Sequence, residues 1–482
     1  MASKKSGALM SVLTTSADSD WPLQLFRRAS VAIPAYASFL RSQDCDPALV
    51  VEAADFGRVP VTTKENYLRS APLADLMWHG SLGGTRLVAS SSGSSGTPFY
   101  WPQNEDSLRE AAHFNARVFD AFDCRSRSTL CVISFFMGTH VAGTSQLEAA
   151  LRLAQQGYRL TAVCPGIDVE ENVRTLRDVA PGFDQTVVMG YPPLVKDVLA
   201  AASAADVPLE PLGLRMVFSG ESFSESWRDS VHQAVGATDP LSSSLGIYGS
   251  ADTGIIGVES PLTIHARRAA ARDPQLCEAL FPDAGVLPAL VEFDPRYRHI
   301  EDVNGDLVLS TGSGLPLIRY RIGDAGRVLS MASLSEAMAQ CGHDVPAQLA
   351  GRSTGHFVAL YGRMDVVCTF YAINIYPDNI KGALERPDLV FRTSGRFVLG
   401  KEAAESGGQF LRLRVELAPG TVPSPPLQLR IQRAVGESLR ATNAEYRKLE
   451  EAMPGRCLLD VVALPHGDPV FVRTGKGRRV VP

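Results

Sequence analysis

Between residues 129 and 219, short apolar runs alternate with helix-length segments, and no other feature constrains this chain as strongly. Residues 130–136, 159–163, 186–189 and 215–219 read as strands, and 146–156, 169–179 and 194–204 read as helices between them. A strand that follows such a helix pairs in parallel with the strand before it, because the crossover must return to the same edge. The expectation is an α/β chain built on parallel pairing.

The remaining segments are read the same way. Residues 1–80 look helical with loops, and Pro60-Val61-Thr62-Thr63-Lys64-Glu65 resembles a helix entry capped by Thr62 or Thr63. Residues 105–122 carry apolar positions at helical spacing. Near residue 260 the texture changes: 265–280 reads as one helix, 289–293, 305–310 and 315–321 as strands of a more antiparallel region, and 330–356 as irregular. From Asp365 the order strand, helix (377–384), strand (397–399), strand (411–417), helix (426–442), strand (457–462) describes a compact α+β unit, with 421–426 as a loop. The division expected is therefore 1–364 and 365–482, and 482 residues are enough for two cores.

Composition excludes several classes. A net charge of -5 gives no reason to expect nucleic acid, and Lys476 with Arg478 and Arg479 is too short to be a polyanion-binding arm. Eight cysteines without a C-x-x-C pair suit reduced thiols better than disulfides or zinc. No run is long and apolar enough for a signal peptide or a membrane span, so a cytoplasmic protein without membrane partners is expected.

Five segments carry the chemistry. The first is Ser90-Ser91-Ser92-Gly93-Ser94-Ser95-Gly96-Thr97-Pro98, where hydroxyls and glycine N–H groups can converge on an anion. A flexible linker is the plainer reading, but the run lies between two apolar segments, as a turn between strands would. The second is Tyr248-Gly249-Ser250-Ala251-Asp252-Thr253-Gly254, and the third is Leu317-Ile318-Arg319-Tyr320-Arg321-Ile322-Gly323-Asp324. The fourth is Tyr361-Gly362-Arg363-Met364-Asp365, and the fifth is Arg473-Thr474-Gly475-Lys476-Gly477-Arg478-Arg479. Thr97-Pro98 excludes a Walker A loop, and Gly220-Glu221-Ser222-Phe223-Ser224 lacks the closing glycine of a nucleophile elbow.

In type, order and spacing these segments resemble the motifs of the adenylate-forming superfamily of acyl-CoA synthetases, adenylation domains and luciferases. The likeness covers roughly residues 85–480 and is closest to the phenylacetate–CoA ligase branch, in which a pair like Tyr191-Pro192 recurs. It implies a large N-terminal domain of packed β-α units, binding ATP and acid, and a small mobile α+β C-terminal domain. By that resemblance Ser91, Ser92, Gly93, Ser94, Ser95 and Gly96 hold the ATP phosphates, with Thr97 where the family usually has lysine. Gly220, Glu221, Ser222 and Tyr248, with Gly249 and Ser250, enclose the adenine. Asp252 stands for the magnesium-ligating glutamate, one methylene shorter, Asp324 binds the ribose and Arg363 contacts the nucleotide. Asp365 is the hinge, and Lys476 approaches the reacting carboxylate and α-phosphate. Singly, Tyr248 reads as core packing, Asp324 as a loop cap, and Arg363, Asp365 and Lys476 as surface charge.

The activity implied is ATP-dependent activation of a carboxylic acid to an acyl-adenylate, then transfer to a thiol of CoA or of a carrier protein. Phe135, Phe136, Met137, His140, Gly190, Tyr191 and Phe218 lie at predicted strand ends and suggest a pocket for an aromatic or medium apolar acid. Two alternatives stay open: adenylation with an amine acceptor or another oxyacid, and a nucleotide-binding protein without turnover.

Overall fold

The computed structural model describes residues 20–90, 99–282, 284, 287–363, 368–370, 373–403, 409–452 and 459–472. Helices α1 (Trp21–Ala32) and α2 (Pro34–Ser42) pack Phe26, Tyr36 and Phe39 into a cluster that also takes in Leu317 and Tyr320. The segment from Pro60 to Glu65 does not begin a helix. Thr62 is fully buried and bridges Tyr320 in parallel, its N–H donating to the Arg319 carbonyl at 3.0 Å and its carbonyl accepting from Arg321 N–H at 2.9 Å. A branched residue beside an open strand edge gains ladder bonds there, whereas a helix start leaves its N–H groups open. Thr63 does act as a cap, but of a turn: its hydroxyl accepts from Asn66 N–H at 3.0 Å.

Strands β1 (Thr85–Ser90) and β2 (Tyr100–Asn104) pair antiparallel with Ser90 opposite Tyr100, so the serine-rich run connects two paired strands. After α3 (Glu105–Ala121) the chain runs β3 (Thr129–Ser134), α4 (Val141–Gln155), β4 (Leu160–Val163), α5 (Val169–Asp178), β5 (Gln185–Gly190), α6 (Pro192–Ala204), β6 (Leu214–Ser219), α7 (Glu225–Ala234) and β7 (Ser244–Ser250). β3 pairs with β4 and β5, β5 with β6, and β6 with β7, all in parallel. Every residue of β3 and β5 is buried, which is why both read as continuous apolar runs.

β8 (Gly254–Val258) then turns back antiparallel to β7. The single helix expected over 265–280 is two, α8 (Pro261–Ala270) and α9 (Pro274–Leu280), divided where Asp273 caps and Pro274 restarts the chain. Next come β9 (Ala289–Glu292), β10 (His299–Val303), β11 (Asp306–Thr311), β12 (Leu317–Ser330), α10 (Met331–Gln340), α11 (Ala347–Ala350) and β13 (His356–Arg363). Residues 330–356 are thus partly helical, with Ser330 forming a capping box for α10. Among the described residues one mixed sheet of 11 strands results, in the order β10-β11-β12-β13-β9-β8-β7-β6-β5-β3-β4.

The C-terminal elements form their own sheet and core. They are β14 (Cys368–Phe370), β15 (Ile373–Ile375), α12 (Pro377–Leu384), β16 (Thr393–Ala403), β17 (Gln409–Leu417), α13 (Pro425–Thr442), α14 (Ala444–Ala452) and β18 (Leu459–Leu464). β17 lies between an antiparallel β16 and a parallel β18, over a core that includes Ile380, Leu413, Ile431 and Tyr446. Among the described residues no helix is long and apolar enough to cross a membrane.

Candidate active site

The parallel strands present their C-terminal ends side by side. Ser134 lies opposite Gly190 and Gly190 opposite Phe218, while Ser219 lies opposite Ile247. The residues just past these ends are Phe135 to His140, Tyr191, Gly220 to Ser222, and Asp252. In open α/β sheets the crevice outside the carboxyl ends, where the order reverses, is where ligands bind. The serine-rich run begins at the same edge, because Ser90 N–H donates to the Thr139 carbonyl at 2.8 Å and its hydroxyl to that of Thr139 at 2.9 Å.

Two tyrosine–carboxylate pairs join the second and third sequence segments. Tyr248 on β7 donates its hydroxyl to Asp324 on β12 at 2.6 Å, and Tyr320 on β12 donates to Asp252, just past β7, at 2.6 Å. Each segment therefore supplies one hydroxyl and one carboxylate to the other. Charge-assisted bonds of this kind are the stronger class and fix both carboxylates. The Lys64 ammonium stands 3.7 Å from the same Asp252 oxygen and 5.6 Å from the Trp101 ring centre. The Ser250 hydroxyl accepts from Thr253 N–H at 3.2 Å and so shapes the turn that carries Asp252. Gly249 is required by close approach: a Cβ there would lie 2.7 Å from the Gly254 carbonyl oxygen. On the next strand, Asp324 pairs through its backbone with Arg363, which brings the fourth segment beside the third.

Gly220, at φ 88°, turns the chain out of β6. Glu221 and Ser222 then face α12: the Ser222 hydroxyl donates to Asp378 at 2.9 Å, and Glu221 stands 3.4 Å from Lys381.

Phe136, His140 and Tyr191 do cluster. The Phe136 ring lies 5.1 Å from His140 and 6.3 Å from Tyr191, which meets Phe135 edge-on at 5.0 Å. Burial, and then the nearby Glu221 charge, pushes the Tyr191 hydroxyl up to about 12, so it remains a neutral donor at ordinary pH. Gly190 is placed by packing, since a Cβ would come within 2.8 Å of Val195. Phe218 does not belong with this group. It packs against Phe223 and Trp227 at 5.0 Å each, under α6 and α7, while its neighbour Val217 shares the opposite core layer with Phe135. Successive strand residues face opposite sides, and Phe218 is on the other one.

Ser91, Ser92, Gly93, Ser94, Ser95, Gly96, Thr97, Asp365 and Lys476 lie outside the described residues, as does the side chain of Arg363. Sequence reasoning assigned no role to Tyr320, Lys64, Asp378, Lys381 or Glu385. Tyr320 had a signal, because it shares its two-residue strand period with Asp324. Lys64 had none, since it reaches Asp252 through a bridge formed with strand β12 far along the chain. Arg319 and Arg321 hold Glu301 and Asp306 at 2.9 and 3.2 Å, as structural partners of acids.

No family model and no curated protein matches the chain. Solved structures do. A 2-hydroxyisobutyryl-CoA ligase in the postadenylation state, in complex with R3-HIB-AMP, superposes over 95% of this chain and 87% of its own, with TM-score 0.64 at 17% identity. The same ligase in complex with 2-HIB-AMP and CoA in the thioesterification state covers the same shares with TM-score 0.51 at 19% identity. Its open conformation, with 2-HIB-AMP and CoA, gives 0.51 at 18%. At such identities the likeness speaks for architecture: this chain has the fold of the adenylate-forming ligases.

Proposed function

We propose that this chain is an ATP-dependent, AMP-forming acid ligase. A substrate carboxylate attacks the α-phosphorus of ATP, the bond to the β-phosphate breaks, and pyrophosphate leaves an acyl-adenylate. A thiol of CoA or of a carrier protein then attacks the acyl carbon and expels AMP. No protein nucleophile is needed, so alignment and electrostatic stabilisation carry the rate.

The observation that carries this reading is the reciprocal pairing of Tyr248 with Asp324 and of Tyr320 with Asp252 at the carboxyl end of the sheet. Asp324, held by Tyr248, receives the ribose hydroxyls, and the Tyr248 ring lies along the base. Ser91 to Gly96 take the phosphates, and Lys64 adds positive charge beside Asp252. Lys476 approaches the attacking carboxylate and the α-phosphate, carried by a C-terminal domain, 365–482, that rotates about Asp365. Phe136, His140 and Tyr191 line an aromatic or medium apolar acid.

Asp252 is a single carboxylate, and the described residues hold no group of three or more metal-binding side chains. That donor set fits magnesium brought in on phosphates, an ion held by few protein oxygens and several from the nucleotide. When bound, magnesium would neutralise phosphate charge and polarise the phosphoryl oxygens. Labelled pyrophosphate should exchange into ATP with at least one acid from an aromatic and medium-chain panel. The absence of exchange with every acid overturns the proposal.

A further inference from the structure

The C-terminal unit meets the large sheet through charged side chains that grip main chain. Lys381 on α12 donates to the Ser222 carbonyl, and Glu385, one turn later, accepts from Ser224 N–H at 2.7 Å. Asp378 takes the Ser222 hydroxyl at 2.9 Å. Asp378, Lys381 and Glu385 are spaced three and four apart and so form one face of the helix. From the other side Lys196 on α6 donates to the Val390 carbonyl at 2.8 Å and to that of Thr393. Lys381, Glu385 and Lys196 are only 7%, 6% and 3% exposed, so these bonds work with little competition from water.

The gripped segment lies beyond the sheet ladder. It leaves β6 through Gly220 at positive φ, and the β6–β7 ladder ends at Ser219, opposite Ile247. Beyond that point its main chain is bonded by Lys381 and Glu385, by Arg267, which donates to the Phe223 carbonyl, and at its end by Arg228 N–H, which donates to the Ser224 carbonyl at 3.1 Å. Burying charges to hold neutral main-chain groups costs more than packing apolar residues there would. That cost is explained if the grip has to be geometrically specific.

We propose that Lys381 and Glu385 are positioning residues for the nucleotide site: docking of the C-terminal unit sets Gly220, Glu221 and Ser222 in the shape that receives the base. This rests on the proposed function, which places adenine at that segment. Binding of nucleotide and docking of the unit are then one event, and undocking loosens the base site so that AMP can leave.

The test uses the full chain as wild type, Lys381→Ala, Lys381→Arg and Glu385→Gln. AMP binding is followed by calorimetry and by hydrogen exchange over 220–224 and 377–390, and the KM values for ATP and for acid are taken from pyrophosphate exchange. In the wild type AMP should protect both stretches together. Lys381→Ala should raise the KM for ATP about tenfold, the usual loss for a hydrogen bond to a charged group. The KM for acid should stay within twofold, and the Ser224 amide should exchange faster. Lys381→Arg should restore most of the ATP affinity, and Glu385→Gln, isosteric and still folded, should speed Ser224 exchange. AMP binding that protects 220–224 but not 377–390, or a KM for ATP unchanged in Lys381→Ala, overturns this inference and leaves the ligase reading intact. No AMP or ATP binding by the wild type overturns both.

Discussion

Two groups of buried charge flank the chain at Ser224, and they are built on opposite plans. Behind it, Arg228 meets Glu225 at 3.0 Å and Glu259 at 2.8 Å, Arg267 meets Glu225 at 2.6 Å, and Glu259 also accepts from Gly246 N–H at 2.6 Å. Every charge in this group faces an opposite one, and the group ties α7 and α8 to β7. In front of it, Lys196 and Lys381 donate to carbonyls and Glu385 accepts a main-chain N–H, while the ion pairs are longer, Lys381 standing 3.4 Å from Glu221 and 4.0 Å from Glu385. Burial lowers the Lys196 ammonium and raises the Glu385 carboxyl, each away from its charged form. A compensated array stays shut because opening it strands charge. Main-chain bonds backed by looser ion pairs can be released with less loss than a fully compensated array.

The sharpest way to break that contrast is to remove one cation from each side. Arg228→Ala leaves Glu225 and Glu259 buried with too little positive charge and should cost about 3–5 kcal/mol of stability. Lys196→Met keeps the volume of the side chain and leaves carbonyls that water can reach when the contact loosens, so about 1–3 kcal/mol is expected. Urea unfolding of both variants measures the two losses. Equal losses would mean that the front group is as permanent as the one behind it.

Acid should move the two sides in opposite directions. His232 lies against the Arg228 group, with the Ser244 hydroxyl at 2.9 Å, and burial followed by the Arg228 and Arg268 charges lowers it to about 4. Its folded-state pKa is below its unfolded value, so its contribution is present above about 6.5 and is lost as pH falls toward 4. At 1.36 kcal/mol per unit this is on the order of 3 kcal/mol. Next to Lys196, burial raises Asp197 to about 6, against the pull of Lys196, Arg396 and His466. A raised carboxyl contributes below its unfolded value near 4 and loses that contribution as pH rises through 6. Between pH 7 and 5, global stability should therefore fall while the protection factors of the amides at 390–393, taken relative to their intrinsic exchange rates at each pH, rise. Parallel changes at both places would remove the distinction.

How much of this the sequence carries depends on whether a residue's partner is local. Strands β3 and β5 are legible because a parallel strand buried on both faces carries a mostly apolar run, and α12 matches its expected bounds because Pro377 starts it. The reciprocal tyrosines are half legible: period two places Tyr320 with Asp324, but nothing in the string says that they face β7. Phe218 shows the same limit from the other side, since alternation separates it from Val217 without saying which of them shares the layer of Phe135. Thr62, Lys64 and the gripping face of α12 are illegible, because on their own they look like a cap and two ordinary charged surfaces. Their meaning comes from Tyr320, Asp252 and Ser222, which only folding brings near.

The site itself uses a third plan, carboxylates held by neutral hydroxyls, and the smallest expected effect lies there. Tyr320→Phe removes one oxygen from a ring that is 2% exposed and leaves the packing around it in place. The stability loss should be about 1 kcal/mol, because the Asp252 carboxylate is part-exposed and can take water in place of the hydroxyl. Among the described residues Asp252 would then keep Lys64 at 3.7 Å, a point charge that fixes no direction. If the hydroxyl serves to aim the carboxylate, the variant should lose more in pyrophosphate exchange than it loses in stability, and Lys64→Met in the same background should add to that loss. A Tyr320→Phe enzyme with full exchange and a 1 kcal/mol deficit would show that the pairing holds the strands together and does not orient Asp252.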